Sequence, residues 1–257
     1  MNEPRTFSLK TFNTVYKNLI CNGRFNEVPE YYERYKSRYV ILMQIYARLA
    51  GPPPIDFLDI GGGQFATLAK ALWNDRAVAA DFGVSHFDYL RQNNVEPIEW
   101  NLCSQEQPFR HQFDIIMFSE VIEHLPIPGH IVLERLLLAL KPGGLIICTT
   151  PNLYRARNVV YMALGKRMFT YFHYPTDRGL GHILEYDQDH LRWQFQRAGF
   201  EILSLEQKHF PHSPTSVPFR VLSWVGSPLY LIPRFRDQHI VVAQSPTMAT
   251  KAPVSKE

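Results

Sequence analysis

Phe57-Leu58-Asp59-Ile60-Gly61-Gly62-Gly63 reads as an apolar strand that delivers one carboxylate and then three successive glycines, just before a helical pattern opens at Phe65. Glycines after a strand let the backbone turn sharply and approach a ligand with no Cβ in the way, and the helix that follows points unpaired N–H groups toward it. Phe65, Leu68, Ala69 and Leu72 fall at i, i+3, i+4 and i+7, the spacing of an amphipathic helix packed on a sheet. An adenine-bearing cofactor is expected at this turn. The loop by itself leaves the cofactor open, because Gly61-x-Gly63-x-x-Ala66 also fits the dinucleotide fingerprint of nicotinamide enzymes.

Upstream, Tyr35, Tyr39, Leu42, Tyr46 and Leu49 recur at alternating spacings of four and three, which predicts a helix with one buried aromatic stripe. Gly51-Pro52-Pro53-Pro54 stops it. Residues 1 to about 30 show no clear period, and 1–50 together read as an N-terminal helical cap. Downstream, strands are expected at Ile55 to Ile60, Ala77 to Ala80, around Ile98, at Phe113 to Phe118 and at Leu145 to Thr149, with helices near Ser85 to Gln92 and from about His130 to Leu140. A helix at Asp187 to Ala198 and strands at Phe200 to Leu205 and His239 to Ala243 complete the set. The last two strands have no helix between them, which suggests an antiparallel pair at the edge. The fold class is therefore α/β: a Rossmann-like, doubly wound, seven-stranded, mostly parallel sheet with an antiparallel edge strand. The sheet domain spans 51–244, with an aromatic and basic insertion at 152–181 read as a lid over the acceptor and a Pro-rich apolar excursion at 211–236. A disordered tail is expected over 245–257.

With 46% hydrophobic and 20% charged residues in 257, the chain is an ordinary globular protein. A formal net charge of +3 gives no nucleic-acid or membrane footprint, so DNA is not an expected partner and membrane contact is at most peripheral. Cys21, Cys103 and Cys148 are odd in number and widely spaced, unlike a zinc ribbon or a disulfide framework, which points to a reducing, cytoplasmic setting. No run approaches the roughly 18 apolar residues of a membrane span. Nothing in the sequence sets the oligomeric state.

Asp81 ends the second strand, where a carboxylate can accept both hydroxyls of a ribose or cap the next helix. Asp59 is more telling, since dinucleotide enzymes usually carry an apolar residue just before the first glycine. Asp59-Ile60-Gly61-Gly62-Gly63, Asp81 and Leu140-Lys141-Pro142-Gly143-Gly144 as a set resemble a class I S-adenosylmethionine-dependent methyltransferase. The resemblance covers about Asp56 to Leu205. It implies S-adenosyl-L-methionine as cofactor, with Asp59 near the methionine moiety, the Gly61 and Gly63 backbone beside it, and Asp81 on the ribose. It places Asn101 and Leu102 at the adenine, Phe82 against the adenine face and Ser119 at the end of the fourth strand beside the cofactor. The Pro-Gly-Gly turn is a fold marker, read physically as a helix C-cap with glycine in the left-handed region.

Glu120-Val121-Ile122-Glu123-His124 follows the fourth strand directly. In a helical turn Glu120, Glu123 and His124 would share one face at i, i+3 and i+4, at the carboxyl end of a strand where reaction chemistry belongs. The pattern resembles the ubiquinone-pathway O-methyltransferases and the small-RNA 3′-terminal 2′-O-methyltransferases, and the RNA group adds a downstream histidine that His182-Ile183-Leu184-Glu185-Tyr186 matches here. That resemblance implies a divalent metal held by Glu120, Glu123, His124 and His182. A metal-free role is favoured over it, with His124 as base or acceptor-positioning group, Glu120 or Glu123 orienting it and His182 completing the site. A structural histidine is the third reading.

The 152–181 insertion carries Arg155, Arg157, Lys166, Arg167 and Arg178 among tyrosines and phenylalanines, with only Asp177 against them. It suits either a solvated basic face over an aromatic lid or a surface for bases or acidic acceptors. The acceptor expected is a small or lipid-linked hydroxyl compound, ahead of RNA. A nicotinamide oxidoreductase and a non-catalytic cofactor-binding protein are the alternatives.

Overall fold

The computed structural model describes residues 5–168, 181–210 and 227–247. Seven strands, β1 (Asp56–Ile60), β2 (Arg76–Asp81), β3 (Glu96–Glu99), β4 (Phe113–Ser119), β5 (Leu140–Pro151), β6 (Glu201–Lys208) and β7 (Gln238–Gln244), form one sheet in the order β3-β2-β1-β4-β5-β7-β6. Strands β1 to β5 pair in parallel, and β7 runs antiparallel between β5 and β6. The antiparallel strand thus lies one in from the edge, and β6 is the edge itself. The strand order reverses between β1 and β4, and the crevice at their carboxyl ends is the usual ligand position of such sheets.

Helices α3 (Gln64–Trp73), α4 (Phe87–Gln92), α5 (Gly129–Ala139) and α7 (Gln188–Arg197) fall where the hydrophobic spacing places them. The structure corrects two of these expectations and adds a helix to the insertion. The first thirty residues contain a helix, α1 (Leu9–Leu19), capped by the Ser8 hydroxyl, which accepts from the Thr11 N–H. The lid segment opens with another, α6 (Ala156–Ala163), while 169–180 of that segment and 211–226 of the excursion lie outside the described residues. The Pro142-Gly143-Gly144 turn is no helix cap: α5 stops at Ala139, Leu140 is already extended, and Gly143 at φ 76° sits in an irregularity of the β4–β5 ladder.

The core has two halves, one on each face of the sheet. On one face α1, α2 (Pro29–Leu49) and α3 bury Phe12, Tyr16, Tyr39, Leu42, Met43 and Tyr46 against Phe57, Phe65 and Leu68. On the other, α5 and α7 bury Leu133, Leu136, Leu191 and Phe195 against Leu58, Ile116 and Ile146. The N-terminal helices therefore share the core of the sheet. Arg5 fastens the chain ahead of α1: its guanidinium meets both oxygens of buried Asp75, which also accepts from the Tyr46 hydroxyl and the Ile55 N–H. At the amino ends of the strands, Lys141 bridges Asp56 and Asp114, and Arg76 holds Asp56. The hydrogen bonds from Arg76 and Lys141 keep the Asp56 carboxyl down at about 2.

Ser245 corrects the expected tail boundary. It is buried, its N–H donates to the Gly144 carbonyl and its hydroxyl to the Lys141 carbonyl, so order runs past the last strand. Residues 248–257 lie outside the described residues. The three cysteines are not disulfide-bonded, and none of the described helices is long and apolar enough to cross a membrane.

Candidate active site

At the end of β1 the chain passes through Gly61, Gly62 and Gly63 at φ 91°, 72° and 79°, a run of left-handed residues that L side chains rarely adopt. Space excludes side chains as well: a Cβ on Gly63 would lie 2.7 Å from Leu90 Cδ2 and 2.9 Å from Ala79 Cβ. Helix α3 starts directly after, and Asp59 lies beneath its first turn, where Oδ2 accepts from the Ala66 N–H at 3.0 Å. Oδ1 of Asp59 is buried without a partner. Burial, with the charge of Asp81 adding to it, pushes this carboxyl up to about 8 even though the Ala66 and Phe65 N–H groups favour its charge. A buried acceptor beside a glycine turn fits a cationic ligand group, as the methionine end of S-adenosylmethionine would supply.

Asp81 lies across the turn and accepts from the Gly62 N–H at 2.8 Å and the Gly83 N–H at 3.1 Å, one on each oxygen. Each carboxylate oxygen retains a second lone pair for a ribose hydroxyl. Phe82 is 55% exposed beside it. Asn101 has its Oδ1 engaged by the Cys103 N–H, while Leu102 is buried and its carbonyl accepts from Arg135. Ser119 bonds the Thr149 hydroxyl at 2.8 Å.

Glu120, Glu123 and His124 do not lie on one helical face. Glu120 takes φ 58°, the left-handed region, and only Ile122–His124 forms a single 3₁₀ turn. The strained residue at the end of β4 sends the Glu120 carboxylate away from the histidine, to Arg38 Nη1 at 3.0 Å, the Thr149 hydroxyl at 2.9 Å and Gln238 Nε2 at 2.5 Å. Burial works against the Arg38 charge, and Glu120 more than offsets it, so the guanidinium stays firmly protonated.

Glu123 lies fully buried, with Oε2 accepting from the Thr150 hydroxyl at 3.0 Å and Oε1 without a donor. Burial, and then the charge of Glu120, push its carboxyl well above the usual range. The His124 and His182 rings meet edge to face at 4.9 Å between centroids. His124 Nδ1 faces the Gly181 carbonyl at 3.2 Å, which can only accept, so the neutral ring carries its proton there and its lone pair on Nε2. His182 Nδ1 donates likewise to Glu185 at 2.8 Å. Burial raises the Glu185 carboxyl, but the bond from His182, the charge of Arg155 and the Asn158 amide together pull it below its ordinary value.

The structure thus brings together Glu123, His124 and His182, and sets Glu120 apart in an ion pair. One ligand atom from each of the three lies within 4.8 Å of the others, a group that among the described residues could hold a metal ion. Two imidazoles and a carboxylate with an unpartnered oxygen fit a first-row divalent ion better than Mg²⁺. Arg38, Thr149, Thr150, Gln238 and Glu185 were not singled out from the sequence as site residues. Only Glu185 carried a signal, three positions after His182, where a carboxylate can fix the tautomer of an imidazole.

A family model described as "Methyltransferase domain" matches residues 32–205. No curated protein matches. Among solved structures, the chain is similar to the putative methyltransferase in complex with the Trm112 activator from Haloferax volcanii, at 15% identity and TM-score 0.60 over 90% of this chain and 97% of that one. A Thermotoga maritima S-adenosylmethionine-dependent methyltransferase described as a possible histamine N-methyltransferase gives 14% and 0.56 over 91% and 99%. Phosphoethanolamine N-methyltransferase 2 of Haemonchus contortus, in complex with S-adenosyl-L-methionine, gives 16% and 0.53 over 80% and 52%. These likenesses carry the fold; the match across most of the chain carries the family and decides the glycine loop against the nicotinamide alternative. The match over residues 32–205 makes this chain a member of the methyltransferase-domain family, and its strand, glycine turn and sheet order have the Rossmann-like form of the S-adenosylmethionine-dependent methyltransferases it is similar to.

Proposed function

We propose that the protein transfers a methyl group from S-adenosylmethionine to a hydroxyl of a small acceptor, with His124 as the general base. The observation that supports this is the His124 tautomer: with Nδ1–H held by the Gly181 carbonyl, the lone pair is on Nε2, which faces the buried Glu123 carboxyl at 3.9 Å just after the carboxyl end of β4. When bound, S-adenosylmethionine supplies an electrophilic sulfonium methyl whose displacement needs an aligned lone pair. Asp59, Asp81 and the glycine turn hold that cofactor. His124 takes the acceptor proton as the O–CH₃ bond forms and the S–CH₃ bond breaks, and His182, fixed by Glu185, positions the acceptor. Expected is tritiated methyl transfer into hydroxyl compounds of a cell extract, falling about 100-fold or more in His124→Ala with binding of S-adenosylhomocysteine unchanged. Transfer at the wild-type rate by that variant, or label found only on nitrogen, overturns the reading.

Glu123 Oε1, which accepts no hydrogen bond and lies 3.9 Å from His124 Nε2, favours a second form of it, in which Glu123, His124 and His182 hold a divalent ion that binds the acceptor oxygen. This form also admits an RNA 3′ terminus. Transfer abolished by chelation, restored by Mn²⁺ and lost in Glu123→Gln would support it, and transfer indifferent to chelator would exclude it.

A further inference from the structure

Of three arginines near the acids of the site, Arg38 of α2 and Arg155 and Arg157 at the start of α6, two are ion-paired. Arg38 is paired with Glu120 and Arg155 with Glu185. Arg157 is different. Its Nε and Nη2 reach the Asn158 side-chain carbonyl at 3.4 and 3.2 Å, and Nη2 reaches the Met168 carbonyl at 3.3 Å. Among the described residues no carboxylate lies within ion-pair distance of it. Glu185 acts on Arg157 only at a distance: its Oε1 takes Arg155 and His182 and its Oε2 takes Asn158, so one carboxylate answers two guanidinium groups. Nη1 of Arg157 makes no hydrogen bond among the described residues, and the guanidinium lies half-buried at the Tyr161 ring, 5.8 Å from its centroid.

Its surroundings belong to the site. Arg155, two residues earlier, grips the same Glu185 that holds His182. The charge of Glu185, and behind it the Tyr161 ring, favour the protonated guanidinium of Arg157. Burial first, and then the like charge of Arg155, weaken its hold on its proton. Two guanidinium groups sharing one carboxylate leave a surplus of positive charge, and a half-buried guanidinium in that position is costly to keep unless an anion arrives to meet it.

We propose that Arg157 anchors an anionic group, carboxylate or phosphate, of the acceptor, so that the hydroxyl to be methylated is carried on an acid. The proposal rests on the hydroxyl-acceptor reading for the identity of the ligand, though the anion site itself is independent of it. Guanidinium suits both anions through paired N–H donors, and the Tyr161 ring beside it suits a planar or apolar body attached to the charge.

The test is calorimetry on the full chain saturated with S-adenosylhomocysteine, using benzoate, phenyl phosphate and neutral benzamide as probes. At least one anion should bind tenfold or more tighter than benzamide, and whichever it is separates the carboxylate from the phosphate source. Arg157→Gln should erase that preference, Arg157→Lys should keep part of it, and the exposed neighbour Lys166→Gln should keep all of it. Undiminished binding of S-adenosylhomocysteine by each variant shows that the fold survives. Equal binding of the three probes, or an anion preference that persists in Arg157→Gln, overturns the proposal whether or not methyl transfer to hydroxyls is found. An anion preference that depends on Arg157 in a protein that methylates no hydroxyl would uphold the anion site and overturn the hydroxyl reading alone.

Discussion

At Asp59 the polypeptide buries an acid with one oxygen satisfied by a helix N–H and the other by nothing. The unfolded chain releases this proton near the ordinary value of 3.8, and the folded chain holds it to about 8. Over that window the unfolded state binds fewer protons than the folded one, so Asp59 makes stability fall as pH rises, and the loss is complete above about 8. Asp59→Asn keeps an acceptor for the Ala66 N–H and removes the penalty. Its cofactor-free form should melt at least about 2 °C higher than wild type at pH 7, the shift that ~1 kcal/mol gives in a domain of this size. The gap in urea unfolding between variant and wild type should widen from about pH 4 to about pH 8 and then level off. Cofactor binding should move the other way: a cation at Oδ1 favours the ionised acid, so binding of S-adenosylhomocysteine at pH 7 should release a proton, read as a dependence of the calorimetric heat on buffer ionisation. The Asn variant should bind it more weakly and release none. The position of Asp59 before the glycines was legible in the sequence; its burial and orphaned oxygen depend on α3 lying over it.

Among the elements, the β1–α3 turn is the least tolerant of change. Gly63→Ala combines a φ of 79° with a Cβ 2.7 Å from Leu90, and should cost about 2–3 kcal/mol in denaturant unfolding. Gly165 also has a positive φ, 62°, but with nothing within 4 Å of a Cβ, so Gly165→Ala should cost about 1 kcal/mol or less. The sheet strands and their helices were readable because each repeats one period long enough to register. Helix α1 was not, although Phe12 and Tyr16 are fully buried, because Thr11, Asn13, Thr14 and Val15 are weak helix formers and its stability comes from the partners it packs on. The Glu120 turn failed for a different reason. Spacing describes a helix, and nothing local announces a non-glycine residue at φ 58°, held by Arg38 from α2 and Gln238 from β7.

For the whole molecule, the sharing of one core by α1, α2 and α3 means that the first fifty residues are no removable cap. Deleting them would uncover Phe57, Phe65 and Leu68, and the remainder should be found in aggregates in size-exclusion chromatography. Arg5→Ala makes the same point with one side chain: it strands Asp75 in the interior, and should cost about 3–5 kcal/mol in unfolding experiments, whereas the double variant with Asp75→Asn should recover part of that loss. The two sheet edges carry a further consequence. Strand β3 is only Glu96-Pro97-Ile98-Glu99, with a proline inside and a glutamate at each end, and β6 is broken in register between Ile202 and Ser204. An extended chain has little to zip onto at β3, and at β6 the irregularity breaks the run of evenly spaced edge groups, so both margins are poor templates for amyloid-like growth by strand addition.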